Sequence, residues 1–187
     1  MKLQIQKQPS RRRSLFSVLA LCACVAVLAG CASPAKYEAM IPSSFEMSKL
    51  HPQSVSVSAS GGKETDSTGK PQISDAAFTQ ALTEAITRSK TFSRVVQGAG
   101  GDYVLTVVII SVEQPSMGFS FTVKMEAGWT LKRAAGGAPV WQESIRSQHT
   151  AGATDAFAGV ERLRLATEGA ARNNIAQGLS SISKLNL

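Results

Sequence analysis

The chain has 187 residues and a formal net charge of +7, from 20 basic and 13 acidic side chains. The excess is local: Lys2, Lys7, Arg11, Arg12 and Arg13 lie in the first 30 residues, which hold no acid, and beyond them 15 basic residues face 13 acidic ones, a net of +2. That balance excludes a nucleic-acid surface built on net charge, and with Cys22, Cys24 and Cys31 as the only thiols, residues 32–187 exclude disulfides, Cys-ligated metals and Cys nucleophiles.

After the basic segment, Leu15 to Ala29 is apolar apart from Ser17. Such a run matches the core of a secretory signal and falls short of the roughly 20 residues a membrane span needs. It ends in Leu28-Ala29-Gly30-Cys31, which resembles a lipobox, the cleavage and lipidation signal of bacterial lipoproteins. Small Ala29 and Gly30 leave the backbone open to a peptidase, and a Cys31 thiolate is the nucleophile that a thioether requires. The resemblance implies removal of residues 1–30, a thioether-linked diacylglycerol on Cys31 and an amide-linked acyl chain on its new N-terminus. Two or more chains hold a protein stably on a bilayer where one does not. Ala32 follows the cysteine, which resembles the outer-membrane class. No cofactor beyond these acyl chains is expected.

Residues 31–53 read as a lipidated tether and lead-in. Pro34, Pro42 and Pro52 bar a long helix, yet Tyr37, Met40, Ile41, Phe45, Met47 and Leu50 are apolar enough for part of the stretch to lie against a domain. Residues 54–187 read as a single periplasmic domain. Ser54 to Ser60 alternates as a strand with Val55, Val57 and Ala59 on one face. Gly61 to Pro71 is a polar loop. Ser74 is an N-cap with Asp75 beside it. From there Ala77, Phe78, Ala81, Leu82, Ala85 and Ile86 recur at helical spacing to about Lys90. Val95-Val96 is a short extended piece. Gly98 to Gly101 lacks the spacing of a phosphate loop and precedes a strand, so it reads as a turn.

Tyr103 to Val112 is apolar on both parities and rich in β-branched residues, the pattern of a central strand covered on both faces. Phe119 to Leu131 alternates strictly, with Phe119, Phe121, Val123, Met125, Ala127, Trp129 and Leu131 inward. Gly136-Gly137 marks a hairpin, and Val140 to Thr150 returns as the partner strand, setting Trp129 and Trp141 across from each other. Thr154 and Asp155 are able to cap a second helix from Val160 to Leu185. Leu163, Ala166, Ala170, Ile175, Leu179 and Ile182 form its apolar row, with Gly169 and Gly178 marking close packing on the sheet. The order β-α-β-β-β-α predicts a two-layer α+β sandwich, a mainly antiparallel sheet of about four strands with both helices on one face.

Chemistry-bearing residues are sparse. Ser144 or Ser147 with His149 and Asp155 are the residue types of an acyl-transfer triad, but no nucleophile elbow surrounds either serine, and His149 reads as an exposed strand-end residue. His51 and His149 have no metal-ligand spacing, so no metal is expected. A partner surface has more candidates: Trp129 and Trp141 on the hairpin, and Arg162, Arg164, Arg172 and Asn173 on the last helix, facing an acidic glycolipid or another envelope protein. Without a catalytic constellation, the reading is a non-enzymatic domain that binds an unknown envelope protein or glycolipid. The alternatives are an envelope enzyme of the acyltransferase type and a glycolipid-binding module.

The lipobox, Tyr37-Glu38-Ala39-Met40-Ile41-Pro42, Ser93 to Gly98 and Leu163 to Ile175 together resemble a family of small proteobacterial outer-membrane lipoproteins without an established activity. Some of its members carry the label UDP-N-acetylglucosamine acyltransferase; the lipid A acyltransferases are hexapeptide-repeat β-helices, and this chain shows no such repeat. The resemblance implies a lipid-anchored protein on the periplasmic face of the outer membrane.

Overall fold

A computed structural model of the protein describes residues 32–66, 69–98 and 100–187. The lipobox residues Leu28, Ala29, Gly30 and Cys31 lie outside the described residues. Ala32–Leu187 forms one compact unit.

After a turn of 3-10 helix at Tyr37–Met40, the elements are β1 (His51–Ser60), α1 (Asp75–Ser89), β2 (Phe92–Val96), β3 (Tyr103–Glu113), β4 (Phe121–Arg133), β5 (Trp141–Ala151) and α2 (Gly159–Ile182). The sheet has five strands in the order β2-β1-β3-β4-β5. β1 runs parallel to both β2 and β3, and β3, β4 and β5 form an antiparallel meander. The fold is therefore α+β, but the sheet is mixed and has one strand more than the four mainly antiparallel strands expected. Phe92–Val96 is the added strand: the chain leaves β1, crosses through α1 and returns parallel at the outer edge. A parallel return needs a crossover of a dozen or more residues, which α1 supplies.

Both helices pack on one sheet face and touch each other. Val55, Tyr103, Leu105, Val107, Ile109 and the odd positions of β4 from Phe121 to Leu131 point into that layer and are buried. Ser74 caps α1 as the sequence suggests, its Oγ accepting from Ala77 N at 3.2 Å. α2 has no such cap. Asp155 instead accepts Gly152 N at 2.7 Å and closes the preceding turn.

Three boundaries differ from the sequence reading. β4 begins at Phe121, and Phe119 stands outside it, 89% exposed. β1 begins at His51, whose N–H donates to Thr91 O at 2.9 Å. Pro52 fits there because β3 does not reach it: the β1–β3 ladder starts at Val55, so Pro52 meets an edge-like environment. The domain itself starts about twenty residues before Ser54. Ala35 N donates to Gln72 O, and Ala35, Met40 and Ile41 are buried in the common core.

β3 is covered on one face only, contrary to the two-sided burial its composition suggests. Val108 is 43% and Ile110 57% exposed on the open face. A register shift between Ile109 and Ser111 leaves Ile110 without a partner on β4. Beyond it Val112 pairs with Met125 and turns inward. One extra residue flips the parity and brings the even-numbered Val112 inward, while Val108 and Ile110 remain apolar side chains on the open face.

Candidate functional site

The residues flagged from sequence fall into two sets, those used up inside the molecule and those left at its surface. Trp129 is fully buried. The hairpin register pairs Trp129 with Glu143 and Trp141 with Leu131, so the two tryptophans are not opposite each other. Trp129 therefore belongs to the core and not to a partner surface. Its Nε1 donates to Asn174 Oδ1 at 2.9 Å. Asn174 Nδ2 donates to Ile145 O at 2.9 Å and to Ser147 Oγ at 3.3 Å, and Ser147 Oγ donates to Ala170 O at 2.8 Å. This buried network stitches α2 to β4 and β5, and in a dry interior such bonds are needed in full. Sequence alone puts Asn174 on the polar side of the last helix with Arg162, Arg164, Arg172 and Asn173, whereas its side chain is buried. Its place four residues after Ala170 and four before Gly178 is the signal that it points inward.

The same network dissolves the triad. Ser147 is bonded to the helix, Ser144 Oγ donates to Glu126 Oε1 at 2.7 Å, and Asp155 holds Gly152 N. His149 is half-buried rather than exposed, with its ring against the backbone of Gly169. Burial first, then the charge of Arg172, pushes its pKa down, while Asp155 opposes them.

The basic residues of α2 are also committed. Arg164 is buried and pairs with both Glu161 and Glu168. Its bond to the Glu161 carboxylate, first among several causes, raises its already high pKa. Glu168 in turn accepts Lys36 N at 2.9 Å, which ties the lead-in to the helix. Arg162 donates to Ala156 O and Phe157 O, Arg172 to Ala39 O, and Asn173 to Gln148 O. These residues are half-buried, and each bond goes to the chain's own backbone. They hold loops and the lead-in; they do not form an open cationic patch.

Three surfaces remain. The first is the outer edge of β5, an 11-residue strand that pairs only with β4. Beside it runs a groove of about 480 Å³ between β5, α2 and the lead-in, lined by Phe45, Glu143, Arg146, Gln177, Ser181 and Lys184 among others. The second is the open sheet face, where Val108 and Ile110 sit over Gly128 among serines, threonines and the Glu126–Arg146 ion pair. The third is the end of the sheet that carries the β3–β4 turn and the β5–α2 loop. Met117, Phe119 and Phe157 stand there at 86, 89 and 100% exposure. Sequence reasoning missed this end: it placed Phe119 on a buried strand face and passed over Phe157 as part of a turn. A phenylalanine in so short a loop was the available signal. Among the described residues no cluster of three His, Cys, Asp or Glu side chains could hold a metal. No helix among them is long and apolar enough to cross a membrane.

No protein-family model matches the sequence, and no curated protein matches it either. Solved structures do. A protein from Xanthomonas campestris, XCC0632, of the family model DUF330, superposes with a TM-score of 0.56 at 12% identity, over 75% of this chain and 89% of that one. The hypothetical protein CT253 from Chlamydia trachomatis gives 0.50 at 9% identity, over 70% and 98%. Uncharacterised lipoprotein B from Nitrosomonas europaea gives 0.42 at 14% identity, over 74% and 84%. The neighbours thus include a DUF330 protein and an uncharacterised proteobacterial lipoprotein. At 12 and 9% identity, the likeness to the Xanthomonas and Chlamydia proteins establishes a shared fold and leaves the activity of each chain its own.

Proposed function

We propose that this protein is a lipoprotein held on the periplasmic face of the outer membrane by acyl chains on Cys31, whose domain binds an extended segment of another envelope protein and catalyses no reaction. The anchor rests on the sequence of residues 28–31. The binding role rests on one observation, the β5 edge: an 11-residue strand paired on one side only, with a groove along its flank. An unpaired edge presents a row of N–H and C=O groups, and an added strand satisfies them while the groove takes alternate side chains. The bonds that occupy Ser144, Ser147 and Asp155 support a non-catalytic reading, since none of the three is directed at His149.

The two halves are tested separately. Cys31→Ser should abolish acylation and move the protein from the membrane to the soluble fraction. A photo-crosslinking residue at Gln142 or Glu143 on the edge should give a discrete adduct in whole cells, and one at Lys90 should not. Ser144→Pro, which removes a backbone donor from the strand, should abolish the adduct. Equal labelling at the edge and at Lys90 would refute the binding role and leave the anchor standing.

A further inference from the structure

Large apolar side chains exposed singly are ordinary, but a cluster of them marks a contact surface. Met117, Phe119 and Phe157 are the most exposed large hydrophobic residues among those described. Two adjacent loops carry them. Phe121 pairs with Ala151, so the turn before β4 and the loop after β5 leave the sheet side by side.

Neither loop is loosely held. Gln114 Nε2 donates to Pro71 O at 2.6 Å and to Thr167 Oγ1 at 2.9 Å, and Lys70 Nζ donates to Gln114 O at 3.0 Å. The second loop is fixed by Arg162, which donates to Ala156 O and Phe157 O and lies over the Phe121 ring. Hydrogen bonds at the roots thus hold apolar tips out into solvent.

The chain enters the domain at this same end. Ala35 N bonds to Gln72 O, next to the Pro71 carbonyl that holds Gln114. Four peptide units separate Ala35 from Cys31, so the acylated sulfur lies within about 14 Å of chain from the first buried residue. A domain on so short a lead stays close to the leaflet, and the end it turns toward the lipid is the end where its chain begins.

We infer that the Met117, Phe119 and Phe157 end is a bilayer-contact surface, its apolar tips entering the headgroup region of the leaflet that holds the acyl chains. This rests on the lipid-anchor reading above. The tips have the depth of an interfacial contact, a few ångströms to about 10 Å, and not that of a span. Charges on and beside the two loops are of both signs, Lys70 and Arg162 with Glu113 and Asp155. The contact is therefore apolar, and it should not depend on anionic lipid or on salt.

The test uses the intact lipoprotein in phosphatidylcholine liposomes. Mass spectrometry first establishes acylation of Cys31. Absence of the acyl chains would refute the anchor reading, and this inference would fall with it. A fluorophore is then placed at Thr154→Cys, beside the tips, or at Leu50→Cys, at the far end of β1. Quenchers carried on lipid acyl chains should quench the Thr154 probe at least about threefold more than the Leu50 probe, with little change in high salt. Replacing Met117, Phe119 and Phe157 by serine should bring the Thr154 probe down to the Leu50 level. All three side chains are exposed, so the near-ultraviolet signal of buried Trp129 should be unchanged. Equal quenching at both sites in an acylated protein would overturn the inference and leave the anchor intact. So would a serine variant that behaves like the parent, or a Thr154 probe shielded from lipid and water alike, which would mean that a protein covers this end.

Discussion

Gly178→Ala is the sharpest test of how the last helix seats on the sheet. A Cβ at Gly178 would lie 2.5 Å from Trp129 Cη2 and Cζ2, and 2.7 Å from Cε2. Ordinary contacts between carbons are about 3.5–4.0 Å, so ring and helix must separate by about 1 Å. The ring has no room to yield: Trp129 is fully buried and its Nε1 is bonded to Asn174. Overpacking of this kind costs about 1–3 kcal/mol. Separating ring and helix also weakens the Nε1 bond to Asn174, and a buried N–H that loses its acceptor costs about 1–3 kcal/mol more. Replacing a helix-interior glycine by alanine returns about 1 kcal/mol. The net is a loss of about 1–5 kcal/mol. Urea unfolding of the mature domain, followed by tryptophan fluorescence, should show a lower midpoint with an unchanged slope. In a Trp129→Leu background the obstruction is gone, and the same substitution should cost under about 0.5 kcal/mol, so that the double-mutant cycle shows strong coupling. A Gly178→Ala protein as stable as the parent, or equal costs in the two backgrounds, would refute the packing argument.

Three further outcomes follow from the same contacts. Asn174→Leu should destabilise by about 2–4 kcal/mol in the same unfolding assay, because Trp129 Nε1 and Ile145 O are both left buried without their partner. Met40→Ala should cost about 2–5 kcal/mol, since Met40 is fully buried, and a protein truncated to begin at Ser54 should fail to fold, as circular dichroism would show; a stably folded truncation would mean that the lead-in is dispensable. The His149 pKa is lowered by burial and by Arg172, so its contribution to stability is complete above its ordinary value of about 6.5 and is lost as pH falls through that value toward the folded one; thermal unfolding between pH 7.5 and 5 should show that slope in the parent and lose it in His149→Gln.

Local signals in the sequence were readable wherever one element decided its own shape. Ser74 caps its helix, and Val55, Val57 and Ala59 face the core. Gly169 and Gly178 meet the His149 and Trp129 rings, as close packing on the sheet required. What escaped depended on partners distant in the chain. Val95-Val96 reads as no more than a short extended piece, and only the ladder that β1 supplies makes Phe92–Val96 a strand. The bulge at Ile110 leaves no local mark, and the open face of β3 follows from both helices packing on the other side of the sheet. The hairpin register depends on the turn between Arg133 and Trp141, and two residues of slip separate an aromatic pair from the observed Trp129–Glu143 alignment. The lead-in's prolines forbid long elements, and its apolar residues point to contact with a domain; what the sequence leaves out is the depth of that contact, Met40 and Ile41 reaching the core from a single turn. Among the candidate surface residues, charge misled most. Arg164 and Arg172 read as solvated on a helix with few strong hydrophobes, but Glu161, Glu168 and the Ala39 carbonyl were waiting for them.

Those arginine bonds bear on how an anchored domain could present its edge. Lys36 N is held by Glu168, Glu168 by Arg164, and the Ala39 carbonyl by Arg172. Lys36 and Ala39 are thus fastened to α2, and α2 is fastened to β5 through Asn174 and Ser147. A continuous run of bonds therefore joins residues 35–40, the helix and the edge strand. β5 ends at Ala151, beside the apolar tips, and begins at Trp141 at the other end of the sheet. Eleven strand residues span about 37 Å. With the tips seated on a leaflet, a strand added to β5 would rise from the membrane surface to that height, its register fixed relative to the lipid. A flexible tether would let the edge sample every orientation; under the proposed anchor, the buried lead-in would hold it in a defined one.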